Sequence, residues 1–192
     1  RFSFDVFAID SGFVQNALTY VVTPLAITGM LIASAQALFQ ADARRLLAYS
    51  SVAQVGYMLL GLGIATAAGV TAGALHLLNH ALMKGALFMA LGAFFYSYGV
   101  RRIDDLKGLG QAMPGVGAAF TIGALSLIGV PFTAGFISKF YLIQAALQSG
   151  WWWAVVAILA ASVLAVFYSY RMLAALWVNP KPSPDHMPDG EV

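Results

Sequence analysis

Two histidines and two lysines lie inside long apolar stretches of the chain, where ionisable side chains are costly and are therefore candidates for function. His76, His80 and Lys84 follow one another at intervals of four residues, and Lys139 lies in a later stretch. On a helix, this spacing places the first three side chains above one another over about 12 Å of rise. Histidine exchanges protons near neutral pH, so such a series, linked by ordered water, favours a proton or cation relay.

Other interpretations of these four residues stay open at this point. A buried histidine is often a hydrogen-bonded core residue, and a lysine can extend its ammonium to the membrane surface, which suits Lys139 better than Lys84. A metal site is disfavoured, because zinc sites combine histidine with carboxylate or thiolate ligands and no Asp or Glu lies in these stretches. We therefore predict no metal. We also predict no cofactor, since the chain has no glycine-rich phosphate loop and no flavin or iron–sulfur ligands.

Polar side chains near the four basic residues are candidates for a supporting role. Asn79, Ser126 and Thr133 are suited to ordering bridging water. The hydroxyls of Tyr49, Ser50 and Ser51, with Gln54 and Tyr57 further along, are expected to hydrogen-bond across helices, and a direct place in the water path is the alternative. The apolar stretches contain no carboxylate to neutralise a buried lysine. We therefore expect a partner acid to come from outside this chain.

The amino-acid composition indicates whether these residues lie in a soluble protein or in a membrane protein. Charged residues are 9% and hydrophobic residues 60% of the 192 residues, against roughly 25% charged in an average soluble domain. The mean hydropathy is +0.80. This balance excludes a soluble enzyme or a nucleic-acid-binding protein. The absence of cysteine excludes disulfides and thiolate metal sites.

The apolar stretches are long enough to cross a bilayer as helices. We therefore predict an all-α, polytopic membrane protein with one transmembrane domain over residues 1–178 and a polar, proline-rich tail over residues 179–192. The chain begins without Met, and we expect it to be one piece of a longer polypeptide. The five predicted spans are residues 14–39, 46–66, 70–98, 113–147 and 151–178.

The fourth span contains residues that oppose a continuous helix. Gly129, Pro131 and Gly135 lie in its middle, and proline removes a backbone donor and clashes with the preceding turn. We predict a break near residues 129–135 between half-helices at about 117–128 and 136–147. Such breaks line protein-enclosed cavities, and half-helix ends bind ions in transporters. An ordinary proline kink is the alternative.

The charged loops predict how the chain is oriented across the membrane. Basic residues are concentrated in the loops at residues 40–45 and 99–112 and toward the C-terminal end. The predicted spans place the N-terminal end on one side of the membrane, and these three regions on the other. The positive-inside bias makes this side cytoplasmic, and we expect the membrane to be the bacterial inner membrane. Residues 101–107 are expected to form either a short surface helix or a solvated loop.

Three segments resemble the antiporter-like membrane subunits shared by respiratory complex I and the Mrp-type cation/proton antiporters. They are residues 44–57 (RRLLAYSSVAQVGY), 76–84 (HLLNHALMK) and 129–139 (GVPFTAGFISK). The third is similar to the second broken helix of these subunits. The resemblance extends over residues 14–178, with features of the D branch of the Mrp antiporters and of complex I subunit N. A hydrogenase-type membrane subunit is a further candidate.

The resemblance implies a fold and a set of roles. The chain is similar to the second of two inverted five-helix repeats, so it represents half of that fold. Lys139 matches the central lysine of the broken helix, His80 and Lys84 match the connecting series, and His76 lies at its end. The first repeat carries a buried Glu–Lys pair that this chain lacks, so this chain alone is not expected to pump.

Two functional hypotheses follow. The first is a subunit that translocates protons, with Na⁺ as a second candidate ion, within an Mrp-type or complex I-like assembly. Its partners are then other membrane subunits and the lipid bilayer, with no nucleic acid. The second is a structural repeat that only packs in a larger membrane complex. Neither hypothesis places a catalytic site in this chain, although the assembly itself can be an NADH:quinone oxidoreductase-like enzyme.

Overall fold

The structure, a computed structural model, describes residues 11–178. Within that range the chain is helical, with no β-strand and one isolated β-bridge between Asp42 and Arg102. The predicted tail at residues 179–192 lies outside the described residues. The α-helices are α1 (Ser11–Ala17), α2 (Thr23–Leu38), α3 (Ala43–Gly63), α4 (Ala67–Tyr98), α5 (Leu109–Ala112), α6 (Pro114–Ile128), α7 (Ala134–Gln148) and α8 (Trp152–Val178).

Four helical segments within residues 11–178 are long and apolar enough to cross a membrane. They are Gln15–Leu38, Ala43–Gly63, Ala67–Tyr98 and Trp152–Trp177, and α6 is a shorter apolar helix. The first segment contains a π-helical turn, Leu18–Val22, directly before α2. Pro24 lies in the first turn of α2, the part of a helix in which proline is tolerated best. The all-α polytopic fold expected from the sequence is confirmed.

The second and third spans begin earlier than predicted, because side chains cap their first turns. Asp42 Oδ1 accepts hydrogen bonds from the backbone N–H groups of Arg44 (2.8 Å) and Arg45 (3.0 Å), so α3 starts at Ala43 rather than Leu46. Thr66 Oγ1 accepts from Gly69 N at 3.1 Å, so α4 starts at Ala67 rather than Val70. The two arginines therefore belong to the first turn of a helix rather than to a loop.

The helices close into a ring. Helix α2 packs along α3, α3 along α4, and α4 along both α6 and α7. Helix α8 packs on α2, α6 and α7, which completes the circuit. One apolar cluster, around Phe94 and Phe120, fills the bundle toward the end that carries residues 99–112. A second cluster, around Leu60 and Ile158, fills it toward the opposite end.

Glycines permit a close helix contact between α3 and α4. A Cβ atom at Gly61 would lie 2.7 Å from the carbonyl oxygen of Gly69, and one at Gly69 would lie 2.6 Å from that of Gly61. Gly85 and Gly92 on α4 have no such role, since a Cβ at either would meet no atom within 4 Å. The Gly61–Gly69 contact therefore helps to set the distance between α3 and α4.

The chain leaves the helical conformation between α6 and α7, at residues 129–133. Gly129 ends α6 in the left-handed region at φ +90°, and Phe132 has φ +71° with its side chain fully exposed. Pro131 lies in this non-helical segment. The segment is shorter than the expected 129–135, because Thr133 caps α7 and the helix resumes at Ala134. Gly135 is consequently part of the helix.

The two charged loops meet at one end of the bundle. The N–H of Ala43 donates to the Arg101 carbonyl (3.0 Å), and the N–H of Ile103 donates to the Ala41 carbonyl (2.9 Å). Residues Ile103–Leu106 form a 3₁₀ helix whose two end residues are buried. Of the two expected forms, the segment at 101–107 thus contains a short helix, and the buried Ile103 and Leu106 anchor it against the bundle.

Candidate functional site

Lys139, on the second turn of α7, has its ammonium enclosed where the chain is interrupted. Its Nζ donates to the carbonyl oxygens of Leu127 (3.1 Å) and Ile128 (2.9 Å) and to Ser162 Oγ (3.2 Å). All three ammonium N–H donors therefore have an acceptor, and the residue is 5% exposed. The two carbonyls are at the C-terminal end of α6, the negative end of its dipole. These groups substitute for a carboxylate, since Asp42, Asp104 and Asp105 all lie outside the long helices.

Tyr57, on α3, is in contact with Lys139 and with the histidine series. Lys139 Nζ lies 4.9 Å from the centroid of the Tyr57 ring. The ring of His76 is 5.2 Å from it, with the two planes inclined by 44°. The Tyr57 hydroxyl lies 3.2 Å from Ser162 Oγ and donates to the Ile158 carbonyl at 3.3 Å. One buried tyrosine thus contacts both basic groups.

His76, on α4, is fully buried, and both of its ring nitrogens are hydrogen-bonded. Nε2 lies 2.9 Å from Gln54 Oε1, and Nδ1 lies 2.8 Å from Ser138 Oγ. Because an amide oxygen is only an acceptor, Nε2 carries the proton in this arrangement and Nδ1 accepts from Ser138. Ser138 Oγ also lies 3.2 Å from the Gly135 carbonyl. If His76 gains a proton at Nδ1, the serine hydroxyl has that carbonyl as an alternative acceptor.

Lys84, two turns after His76 on α4, is 6% exposed and lies against α3. Its Nζ donates to the Leu47 carbonyl at 2.7 Å and to Ser50 Oγ. The ring of Phe88 is 5.8 Å away. Lys84 and Lys139 are therefore held in the same way, by backbone carbonyls, a serine hydroxyl and an aromatic ring.

His80 lies between His76 and Lys84 and is half-buried. It lies four residues, about one helical turn, from each of them on α4. Its Nδ1 atom is buried and has no hydrogen-bond partner among residues 11–178. A buried ring nitrogen without a protein partner is suited to a water molecule or to a group from another segment.

The three side chains expected to order water bond to the backbone at the interruption. Asn79 Nδ2 donates to the Ala134 carbonyl at 2.7 Å. Ser126 Oγ accepts from Gly135 N at 3.0 Å. Thr133 Oγ1 accepts from Phe136 N at 3.4 Å. These contacts hold α4, α6 and α7 together around the non-helical segment.

The expected cross-helix hydrogen bonds form for only some of the polar residues on α3. Ser50, Gln54 and Tyr57 bond to other helices, as described above. Ser51 Oγ instead donates to the Leu47 carbonyl of its own helix at 3.0 Å. Tyr49 is exposed, so it faces away from the bundle interior. The helical spacing explains the difference, because residues 50, 54 and 57 share one face of α3.

Two serines that the sequence pattern did not single out complete the site. Ser138 precedes Lys139, and its hydroxyl bonds to His76. Ser162 is a lone polar residue in the apolar run at residues 154–167. A polar residue isolated in such a run is a weak signal, because serine is common in membrane helices. In residues 11–178, no three metal-ligating side chains lie close together.

The sequence profile of a protein family described as NADH:quinone oxidoreductase/Mrp antiporter, TM, matches residues 2–165. The chain is 41% identical over 160 residues to NADH-quinone oxidoreductase subunit N of Desulforudis audaxviator, a match that covers 83% of this chain and 32% of that protein. It is 31% identical over 187 residues to F(420)H(2) dehydrogenase subunit N of Methanosarcina mazei, covering 93% and 38%. The chain therefore spans about a third of the length of these relatives.

Solved structures show the same fold. A chain of the membrane-bound sulfane sulfur reductase, an archaeal respiratory membrane complex, superposes with a TM-score of 0.83 at 37% identity, covering 92% of this chain and 36% of that one. A chain of the Mrp complex from Dietzia sp. gives a TM-score of 0.78 at 36% identity, with 88% and 32% covered. A chain of Thermus thermophilus respiratory complex I gives 0.73 at 31% identity, with 86% and 38% covered.

The profile match extends over most of the chain, and His76, His80, Lys84 and Lys139 lie in two of the three segments that resemble the family. The expected family is therefore confirmed. This chain is an integral membrane protein that belongs to the NADH:quinone oxidoreductase/Mrp antiporter transmembrane family.

Proposed function

We propose that this chain is the part of a membrane subunit that moves protons, or exchanges a cation for protons, within a respiratory or antiporter assembly. The observation that carries this proposal is the Lys139 ammonium, enclosed by three neutral oxygen acceptors at a helix interruption inside an apolar bundle. Isolated basic groups are costly at membrane depth and are retained where charge must pass. The named relatives, which are subunits of respiratory and antiporter complexes, support the same assignment.

The relay runs from Lys139, past Tyr57, to His76 and then through His80 to Lys84. His76 links the Lys139 side of the relay to helix α3, because it contacts Ser138 on α7 and Gln54 on α3. Water completes the gaps that direct hydrogen bonds leave. One such place is the Nδ1 atom of His80, which has no hydrogen-bond partner in the described part of the chain. In this arrangement residues 113–147 act as one interrupted span, with Gly129 and Pro131 forming the break.

We further propose that the charged end of the bundle, with residues 40–45 and 99–112 and the tail, faces the cytoplasm of a bacterial cell. The contacts between the two loops support a common side. The positive-inside bias then gives the direction. Partners in this proposal are other membrane subunits of a complex I-like or Mrp-type assembly. The assignment to the D branch of the Mrp antiporters stays a prediction, and the two sequence relatives described above carry the name subunit N.

The substitution Lys139→Ala in the intact assembly tests the proposed function. It removes the enclosed ammonium, so we expect coupled proton transport to fall to background while the assembly remains intact. The measurement is acidification of inverted membrane vesicles, followed with a pH-sensitive dye and normalised to the amount of assembled complex.

The matched control is Lys107→Ala, which removes an exposed lysine from the charged loop. Lys107 Nζ lies 3.7 Å from Asp104 Oδ1 in an exposed ion pair. This variant is expected to transport at the parent rate. A normal rate in the Lys139→Ala variant would contradict the relay and favour the alternative, in which the chain only packs within its complex.

A further inference from the structure

We infer that Tyr57 and Ser162 form a positioning pair that holds the Lys139 ammonium at the interruption and controls proton passage between Lys139 and His76. This inference rests on the proposed function and deepens it. Neither residue carries the proton in this mechanism. The pair acts through Lys139, by fixing where its ammonium lies and by occupying the space beside His76.

The hydroxyl groups form a directed series of hydrogen bonds. Lys139 Nζ donates to Ser162 Oγ at 3.2 Å, so the serine proton is free to point to the Tyr57 hydroxyl, which is also 3.2 Å away. The tyrosine proton then points to the Ile158 carbonyl at 3.3 Å. Each group donates to the next, and the series ends on a fixed backbone acceptor. A charged Lys139 therefore fixes the orientation of both hydroxyls.

Deprotonation of Lys139 reverses part of this series. An N–H bond of the ammonium breaks, an O–H bond forms on an acceptor water, and Nζ becomes an amine with a lone pair. The Ser162 hydroxyl then donates to Nζ, and the Tyr57 hydroxyl is free to turn from Ile158 to Ser162. The other two acceptors of Lys139 are backbone carbonyls, which have no proton to turn. Among these contacts, only Ser162 adapts to both protonation states.

The aromatic ring of Tyr57 gives the pair its control over passage. It contacts the ammonium and the His76 ring at centroid distances of 4.9 and 5.2 Å, and the tyrosine is 1% exposed. A phenyl face binds no proton and accepts no strong hydrogen bond. Water must therefore pass around this ring to link Lys139 with His76, and the fixed hydroxyl keeps the ring in place.

The test uses the intact assembly in vesicles. Tyr57→Phe keeps the ring and removes the hydroxyl, and Ser162→Ala removes the shared hydroxyl without altering the ring. Ser162→Ala is expected to lower coupled transport by about tenfold, the effect of losing one hydrogen bond to a charged group. Tyr57→Phe loses a hydrogen bond between neutral groups and is expected to lower it by a smaller factor, about threefold. Ser162→Thr keeps a hydroxyl and is expected to recover most of the rate. The control Ser169→Ala removes a buried hydroxyl of the same helix that has no partner within residues 11–178, and it is expected to match the parent.

A second measurement separates positioning from a general structural role. With turnover stopped, Tyr57→Ala is expected to raise passive proton leak, because the ring no longer blocks water. Adding Lys139→Ala to that variant should abolish the extra leak, whereas leak through a damaged bundle would persist. Parent-like transport and leak in Tyr57→Phe and Ser162→Ala, with Lys139→Ala inactive, would overturn the inference and leave the proposed function standing. A fully active Lys139→Ala variant would overturn both.

Discussion

At the scale of single residues, the two buried lysines, Lys84 and Lys139, are stabilised by the same kinds of neutral group rather than by a carboxylate. Each ammonium binds backbone carbonyl oxygen and one serine hydroxyl, and each lies near an aromatic ring. Neutral oxygens stabilise a charged lysine less strongly than a carboxylate does. A group held in this way gives up its proton more readily than one in an ion pair, which suits a relay.

The adjacent serines on α3 offer a matched test of this arrangement. Ser50 and Ser51 both donate to the Leu47 carbonyl, at 2.9 and 3.0 Å, but only Ser50 also accepts from Lys84. We expect Ser50→Ala to slow proton transport several-fold more than Ser51→Ala, with similar assembly of both variants. Vesicle acidification rates decide the comparison. Equal rates for the two variants would show that the contact with Lys84 does not matter for transport.

The residue types in this site were predictable from the sequence, but most of their partners were not. His76, His80, Lys84 and Lys139 stand out because charge in an apolar run is conspicuous. Ser162 does not, because its importance comes from lying against Lys139. Hydropathy identifies side chains whose burial is unfavourable in free energy. It contains no information about which neighbouring groups stabilise them.

At the scale of elements, the junction of α6 and α7 depends on a close contact. Gly135 was predicted to be part of the break, but it lies inside α7, where it permits close approach. A Cβ atom there would lie 1.8 Å from the carbonyl oxygen of Ser126. The backbone of α6 occupies the space that any side chain would need. Close packing, rather than conformational freedom, explains this glycine.

The substitution Gly135→Ala is therefore expected to separate α6 from α7. Overpacking against a backbone atom costs about 1–3 kcal/mol or more. We expect a lower thermal midpoint of the detergent-extracted assembly and weaker transport. The control Gly92→Ala adds the same methyl group on α4 with no atom within 4 Å, so it should be neutral or slightly stabilising. An unchanged midpoint for Gly135→Ala would mean that the two helices can move apart freely.

Helix boundaries show how local chemistry corrects a hydropathy pattern. The apolar runs located the long helices. With caps at Asp42 and Thr66, helices α3 and α4 each begin three residues before the predicted span. Capping depends on one side chain reaching back to a backbone N–H group. A hydropathy window averages over that detail, so it finds an element more reliably than its first turn.

At the scale of the whole molecule, the ring of helices places all the charged loops that are described at one end. This end combines the start of α3, residues 99–112 and Arg171, whose guanidinium donates to the Leu38 and Gln40 carbonyls. The opposite end carries the short connections at residues 64–66 and 149–151. The charge bias predicts that this end faces the cytoplasm, and this prediction is open to a direct test.

Single cysteines can establish this direction, since the chain has no cysteine of its own. Lys107→Cys and Gln148→Cys place an exposed thiol at opposite ends of the bundle. A membrane-impermeant maleimide is expected to label the first only from the cytoplasmic side and the second only from the other side. Labelling of both from one side would contradict the proposed topology. Labelling each from the reverse side would invert the orientation.

The sequence by itself determined the membrane class, the helical fold and the identity of the buried basic residues. These follow from hydropathy, from the spacing of side chains along one helix and from proline's missing donor, all of which are local properties. Only the tertiary structure decided what surrounds the two lysines. The Tyr57–Ser162, His76–Ser138 and Lys139–Ser162 contacts join residues 105, 62 and 23 positions apart, and such pairs depend on how helices pack against one another.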